Sequence, residues 1–275
     1  MERHIRTSDE ELSMLDVCSS GDIAALRRLF LKHGIQPGSK PTYGRREHMD
    51  KNISPVESTV VFDPDMPSTM ELLERAVAAK QLAVVKFILQ TYPSFSLSQC
   101  HGIVYAVLDN PDPVVLQALC DHERSFASFP TDYHMRSILS EACERPPAQI
   151  VPILHVLLDN GADVDDGWPR HGALYSAIYY KQPLEIIQKI VSKGGDINSG
   201  NLIQAIQHGR LDVTKWLFSN GKDDPDVDVQ LCVEKAKKTG DEEIIAIVQS
   251  WALKRAQGET KCGNKRLTKQ WWQFW

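Results

Sequence analysis

One small residue returns along this chain at a nearly constant spacing, each time inside the same local pattern. In residues 201–221, NLIQAIQHGRLDVTKWLFSNG, Ala205 sits in a short apolar stretch followed by a Gly, an amphipathic stretch and a closing Asn-Gly. Residues 173–198 repeat the pattern around Ala177, and residues 138–165 repeat it around Ala142 and Cys143. Fainter copies place Ala106 in residues 103–122, Ala76 in 72–93, Val17 and Cys18 in 12–34, and Ala236 in 233–255. From Val17 through Ala76, Ala106, Ala142, Ala177 and Ala205 to Ala236, the intervals are 59, 30, 36, 35, 28 and 31 residues. A period near 33 residues spells about one helix-turn-helix unit per copy. The long first interval holds about two periods, and therefore an insertion.

Apolar side chains within the second half of each copy recur at helical spacing. Val213, Trp216 and Leu217 form one stripe, and Leu184, Ile187, Ile190 and Val191 form another. A single two-helix unit cannot bury such a stripe, whereas side-by-side stacking makes a continuous core. The small residue in the first helix lets neighbouring helices approach closely. Gly161, Gly194 and Gly221 suit left-handed ends of second helices. Ser8 with Glu11, and Ser68 with Glu71, read as capping boxes. The prolines of Arg145-Pro146-Pro147 and Asn110-Pro111-Asp112-Pro113 fall between helices, while Pro152 is expected to delay its helix by a turn. The pattern predicts an all-α fold of about seven stacked helix-turn-helix units.

LLDNGADVD at Leu157–Asp165 resembles the closing stretch of an ankyrin repeat, and KIVSKGGDIN at Lys189–Asn198 is a close variant. GDIAALRRLF and GRLDVTKWLF resemble that family's second helix after its Gly. The resemblance spans about residues 9–255 with an interruption at 36–68, and it implies an ankyrin-type helix-turn-helix repeat solenoid. The Thr-Pro-Leu-His that usually opens the first helix is missing: Gly172-Ala173-Leu174-Tyr175 and Asn201-Leu202-Ile203-Gln204 stand there instead. The expected organisation is an N-terminal repeat at 1–35, a proline-rich insertion at 36–68, a repeat array at 69–255 and a tail at 256–275. Degenerate repeats with no appended catalytic domain resemble the short ankyrin-only proteins of filamentous fungi. Some of those are regarded as transcriptional co-regulators, including of secondary-metabolite genes.

Charge is unevenly distributed. The chain has 31 Lys and Arg against 36 Asp and Glu. From Lys254 onward six basic residues face the single acidic Glu259, which leaves the preceding body with 25 basic and 35 acidic side chains. An acidic body argues against wrapping nucleic acid, whose phosphates are held mainly by Lys and Arg. Six cysteines lie far apart with no CxxC, so spacing favours neither zinc nor a redox pair. No apolar stretch follows the polar start, and none approaches the roughly 20 residues of a membrane span. The expected setting is intracellular, in cytoplasm or nucleus, with thiols reduced.

Two segments break the repeat pattern. Residues 36–68 contain Pro37, Pro41, Pro55, Pro64 and Pro67 and read as a loosely packed loop or a dedicated binding loop, with Val60-Val61-Phe62 able to fold back. In the tail, Lys254-Arg255 and Lys265-Arg266-Leu267-Thr268-Lys269 are separated by nine residues. That spacing fits a bipartite nuclear-import signal or a solubilising tail. Trp271, Trp272, Phe274 and Trp275 then either cap the last repeat or stay exposed as an anchor.

Enzyme chemistry finds little support. HExxH, GxSxG, P-loop and GxGxxG runs are absent, and His33, His122, His155 and His208 fall where structural or surface histidines are expected. Cys143 occupies the packing position. Asp163, Asp165 and Asp166 form a turn cluster that lacks the terminal Glu of a calcium loop. The expectation is no catalytic residue, no cofactor and no metal, with a cryptic or accessory metabolic enzyme as the alternative. By the resemblance, a partner protein would meet the inter-repeat turns and first helices of a monomeric scaffold. Those positions are Asp165, Asp166, Trp168, Arg170, His171, Tyr175, Tyr179, Asn198 and Asn201. Trp168 either docks the partner or packs between repeats.

Overall fold

A computed structural model describes residues 9–43, 67–131, 136–165, 172–220 and 227–259. Its regular structure is helical, so the fold is all-α. The helices are α1 (Asp9–Ser20), α2 (Ile23–Lys32), α3 (Thr69–Ala78), α4 (Leu82–Thr91), α5 (His101–Asp109), α6 (Pro113–His122), α7 (Ile138–Cys143), α8 (Pro147–Asp159), α9 (Ala173–Tyr179) and α10 (Leu184–Ser192). They continue with α11 (Ser199–Gln207), α12 (Leu211–Asn220), α13 (Val229–Thr239) and α14 (Glu242–Glu259). A 3-10 helix (Arg124–Ser128) and an isolated antiparallel bridge between Pro130 and Ser137 lie between α6 and α7.

The chain divides into two compact units, Met1–Gly195 and Asp196–Trp275. In unit 1, α1, α3 and α5 lie side by side, as do α7 and α9, while α2, α4, α6, α8 and α10 form a second row. Unit 2 follows the same rule: α11 pairs with α12 and α13 with α14, α11 lies beside α13, and α12 lies beside α14. The boundary at residues 195 and 196 falls within the stretch expected to be one array.

Every alignment residue except Val17 is buried in the odd-numbered helix of its pair. Cys18, Ala76, Ala142, Cys143, Ala177 and Ala205 are fully inaccessible, and Ala106 and Ala236 nearly so. The turn that follows is equally regular. Lys80, Lys181 and Gly209 take left-handed φ values of 58°, 59° and 62°. The next N–H then reaches five residues back, from Gln81 to Ala76 O at 2.9 Å, from Gln182 to Ala177 O at 2.8 Å and from Arg210 to Ala205 O at 3.0 Å. This closure satisfies carbonyls that a helix end would otherwise orphan. The acceptor is the alignment residue itself, so packing and turn geometry share one register.

Second helices of unit 1 end the same way. Gly161 and Gly194 have φ of 84° and 115°, as expected of them, while Gly221 lies outside the described residues. Ser68 and Glu71 form the expected capping box on α3; Ser8 lies outside. Pro152 does not delay its helix. α8 starts at Pro147 and runs through Pro152 to Asp159. An interior proline costs about 3 kcal/mol, but Ile150, Ile153, Leu154, Leu157 and Leu158 are all buried on this helix, and each contributes about 1.5–3 kcal/mol.

The insertion begins as ordered chain packed on unit 1. Thr42 and Thr69 exchange backbone and hydroxyl hydrogen bonds of 2.9–3.1 Å. The Tyr43 ring stacks on Phe95 at 5.2 Å, and its hydroxyl accepts the Ser96 N–H at 3.0 Å. Residues 44–66, with Val60-Val61-Phe62, lie outside the described residues. So do residues 260–275, which carry the basic cluster from Lys265 and the terminal aromatics. α14 itself continues four residues past the expected end of the array.

Candidate functional site

Loops joining one pair to the next in unit 1 are bonded to each other in sequence. Gly38 N–H donates to Thr91 O at 2.9 Å. His122 Nε2 bonds Phe95 O at 2.7 Å, and Glu123 Oε2 accepts the Leu97 N–H at 2.6 Å. Arg124 Nε donates to Asn160 O at 3.3 Å, and Ser128 Oγ accepts the Asp163 N–H at 2.9 Å. Asp163 in turn accepts the Asp165 N–H at 3.0 Å. These side chains satisfy loop backbone groups, which accounts for His122 and Asp163 without chemistry. The result is a fixed edge on which neighbouring side chains keep their positions.

Beside that edge, first helices present tyrosines. Tyr175 and Tyr179, one turn apart on α9, stack at 6.3 Å with their rings 13° from parallel. Tyr180 meets Tyr179 edge-on at 4.9 Å. Tyr179 is 43% and Tyr180 39% exposed, and Tyr105 of α5 is 43% exposed. Aromatic rings held rigid against each other while still open to solvent suit a binding surface, since little rotamer entropy is lost on contact.

The expected partner residues fall into three groups. Tyr175 and Tyr179 are brought together on one helix face, and Asp165 is exposed on the adjoining loop. Asn198 and Asn201 are engaged internally: Asn198 caps α11 by accepting the Asn201 N–H at 3.1 Å. Asn201 is buried at 3% exposure, and its amide donates to Asp196 O at 3.0 Å. Burial leaves Asn201 no surface for a partner. Asp166, Trp168, Arg170 and His171 lie outside the described residues. Tyr180 joins this cluster without having been expected, and Tyr105 is a further exposed tyrosine on the first helix α5. Tyr105 could have been noticed because it adjoins the small residue Ala106, whereas Tyr180 stands three residues past Ala177, at the C-cap of α9, where no such signal marks it.

A second feature of the first-helix row is an open pocket of about 320 Å³ lined by Leu15, Glu71, Glu74, Arg75 and Ala78. Glu71 is committed to the α3 cap, accepting from Ser68 N–H at 2.7 Å. Glu74 lies against Gly102 of α5. Burial, and then the neighbouring Glu71 charge, hold its carboxyl above the usual range despite Arg75.

Burial also decides the cysteines. It pushes the thiols of Cys18, Cys100 and Cys120 up to about 12 and that of Cys232 to about 11. A thiol that stays protonated is a packing group and not a nucleophile. No group of three or more His, Cys, Asp or Glu placed to hold a metal occurs among the described residues. No helix among them is long and apolar enough to cross a membrane. No family model matches the chain, and no curated protein matches it.

Proposed function

We propose that this chain is an ankyrin-type stack of helical pairs whose work is to bind another protein. The contact surface is the first-helix side of unit 1 together with its inter-pair loops. The observation that carries this reading is the tyrosine cluster on α9, in which Tyr179 stacks on the half-buried Tyr175 and meets Tyr180 edge-on, with Tyr179 and Tyr180 exposed. Two regularities support the ankyrin-type assignment: alternate helices lie in rows, and the same small residue receives the turn-closing hydrogen bond in three pairs. In cellular terms the proposal is a regulatory adaptor. A nuclear co-regulator role, including at secondary-metabolite genes, rests on the family resemblance and on the basic tail.

Affinity capture of the tagged full chain from its own cells tests the surface, run beside a variant with Tyr175→Ser, Tyr179→Ser and Tyr180→Ser. A defined set of co-purifying proteins should be lost from the variant while its circular-dichroism melt is retained. Identical recovery from both chains would overturn the assignment of the surface.

A further inference from the structure

Helix α14 carries two apolar stripes. Ile244, Val248 and Trp251 recur at i, i+4 and i+7; the first two are fully buried, and Trp251 meets Phe218 of α12 edge-on at 4.8 Å. Arg255, one turn further, lies over the same indole at 5.4 Å. That stripe seats α14 in its unit. Ile245, Ala252 and Leu253 form the second, weaker stripe at i, i+7 and i+8, with the exposed Gln249 between them. Leu253 lies about 200° round the helix from Trp251 and is 64% exposed.

Val233 of α13 joins Gln249, Ala252 and Leu253 to line an open, largely apolar groove of about 330 Å³. An apolar groove left open on a helix is a surface that another segment can cover. Among the described residues nothing covers the second side. On the repeat-stack reading proposed above, on which this inference rests, the last pair of an array is where a dedicated cap is needed.

We propose that the C-terminal aromatic segment of this same chain, Trp271, Trp272, Phe274 and Trp275, seats in this groove and closes the stack. Length permits it. Leu253 lies six residues before the end of α14 at Glu259, or about 9 Å along the axis. The twelve residues from Glu259 to Trp271 span up to about 40 Å when extended, which is more than the return needs. Chemistry points the same way. The linker is polar and basic, with Lys261, Lys265, Arg266 and Lys269, whereas four of the last five side chains are aromatic. Each ring removes roughly 150–250 Å² from water when buried. The groove has room for one or two of them, with the remaining rings lying along α14. Tethering makes the tail the favoured occupant, because its effective concentration at the groove is fixed by a short linker.

Photo-crosslinking tests the proposal on the full chain, with benzoylphenylalanine in place of Leu253 and, as a control, in place of the comparably exposed Val114 of unit 1. The expected product is a monomer-mass species in which the peptide containing position 253 is joined to the tryptic peptide Gln270–Trp275, with no such product from position 114. A tail crosslink found only at dimer mass would assign the groove to a second copy and overturn the intramolecular cap. Absence of any tail crosslink would overturn it as well. A thermal cycle gives a second reading. Leu253→Asp and the combined change Trp271→Ser, Trp272→Ser, Phe274→Ser and Trp275→Ser should each lower the melting temperature by several degrees, and both together by no more than either alone. Additive losses, or a tail variant that melts like the parent, would overturn the cap.

Discussion

Unit 1 ties neighbouring pairs together with polar side chains that reach backbone carbonyls, whereas among the described residues of unit 2 the buried side chains between the two pairs are mostly apolar. In unit 1, Gln81 Nε2 donates to Ser19 O at 3.1 Å, and Gln182 Nε2 donates to both Cys143 O at 2.7 Å and Arg145 O at 2.8 Å. Both glutamines stand just after the left-handed turn residue of their pair, and each grips the end of a first helix one pair earlier. The Arg145–Asp109 ion pair at 3.0 Å links another two turns on the same edge. Between the pairs of unit 2, Ser199 Oγ accepts the Asp228 N–H at 3.2 Å, and Lys215 meets Glu243 at the surface. Its core is mostly apolar, with Leu202, Ala205, Ile206, Val213, Leu217, Cys232, Ala236, Ile244 and Val248, and it also buries Asn201, Gln204 and Thr214. Apolar burial supplies stability without direction. A glutamine that must satisfy particular carbonyls fixes which turn meets which neighbour.

The sharpest way to break the comparison is at the apolar position of unit 2. Ala205→Asp places a charge without a partner in a fully buried site and should cost about 2–4 kcal/mol, read as a lower midpoint in urea. An unchanged midpoint would contradict the register. In unit 1, Gln182→Leu keeps volume but deprives two carbonyls of their donor, with an expected loss of about 2 kcal/mol. If that loss is absent, the polar ties are ornamental and the two units are held alike.

Smaller effects sharpen the turn chemistry that both units share. Lys181 holds a left-handed conformation that costs a residue with a Cβ about 1 kcal/mol, so Lys181→Gly should raise stability by about that amount. Gly209→Lys in unit 2 should lower it similarly. The opposite signs follow from identical geometry. The smallest effect concerns Glu74. Its carboxyl titrates above the usual range in the folded chain, so its contribution to stability is full while it is protonated and is lost as pH rises through the folded value. Glu74→Gln should therefore match the parent at acid pH and melt slightly higher at neutral pH. The difference should open between the ordinary carboxylate range and the raised one. A constant difference across pH would reject this cause.

Much of the pairing was legible in residue spacing, because a small side chain at close helix contacts and a Gly at a helix end are local requirements. The cap of Ser68 and Glu71 and the left-handed Gly161 and Gly194 belong to the same class. What escaped depends on neighbours distant in sequence. Lys80 and Lys181 give no glycine signal for their left-handed turns, and the reach of Gln182 spans 37 to 39 residues. The segment from Arg124 to Ser137 has no helical period, yet Phe126 and Phe129 are buried and in edge contact at 5.7 Å. Tyr43 looked like part of a loose loop until Phe95 met it. At the candidate surface, Tyr175 and Tyr179 were legible from their first-helix position. Asn201 was not, because nothing local marks an asparagine as an internal strut.

Native-state amide hydrogen exchange tests the shared register most directly. If the helical pair with its turn-closing bond is the repeating unit, the amides of Gln81, Gln182 and Arg210 exchange as slowly as those in the helix interiors, and Ala205→Asp strips protection from α11, α12 and α13 together. Loop-like exchange at those three amides, or loss confined to α11 alone, would contradict it.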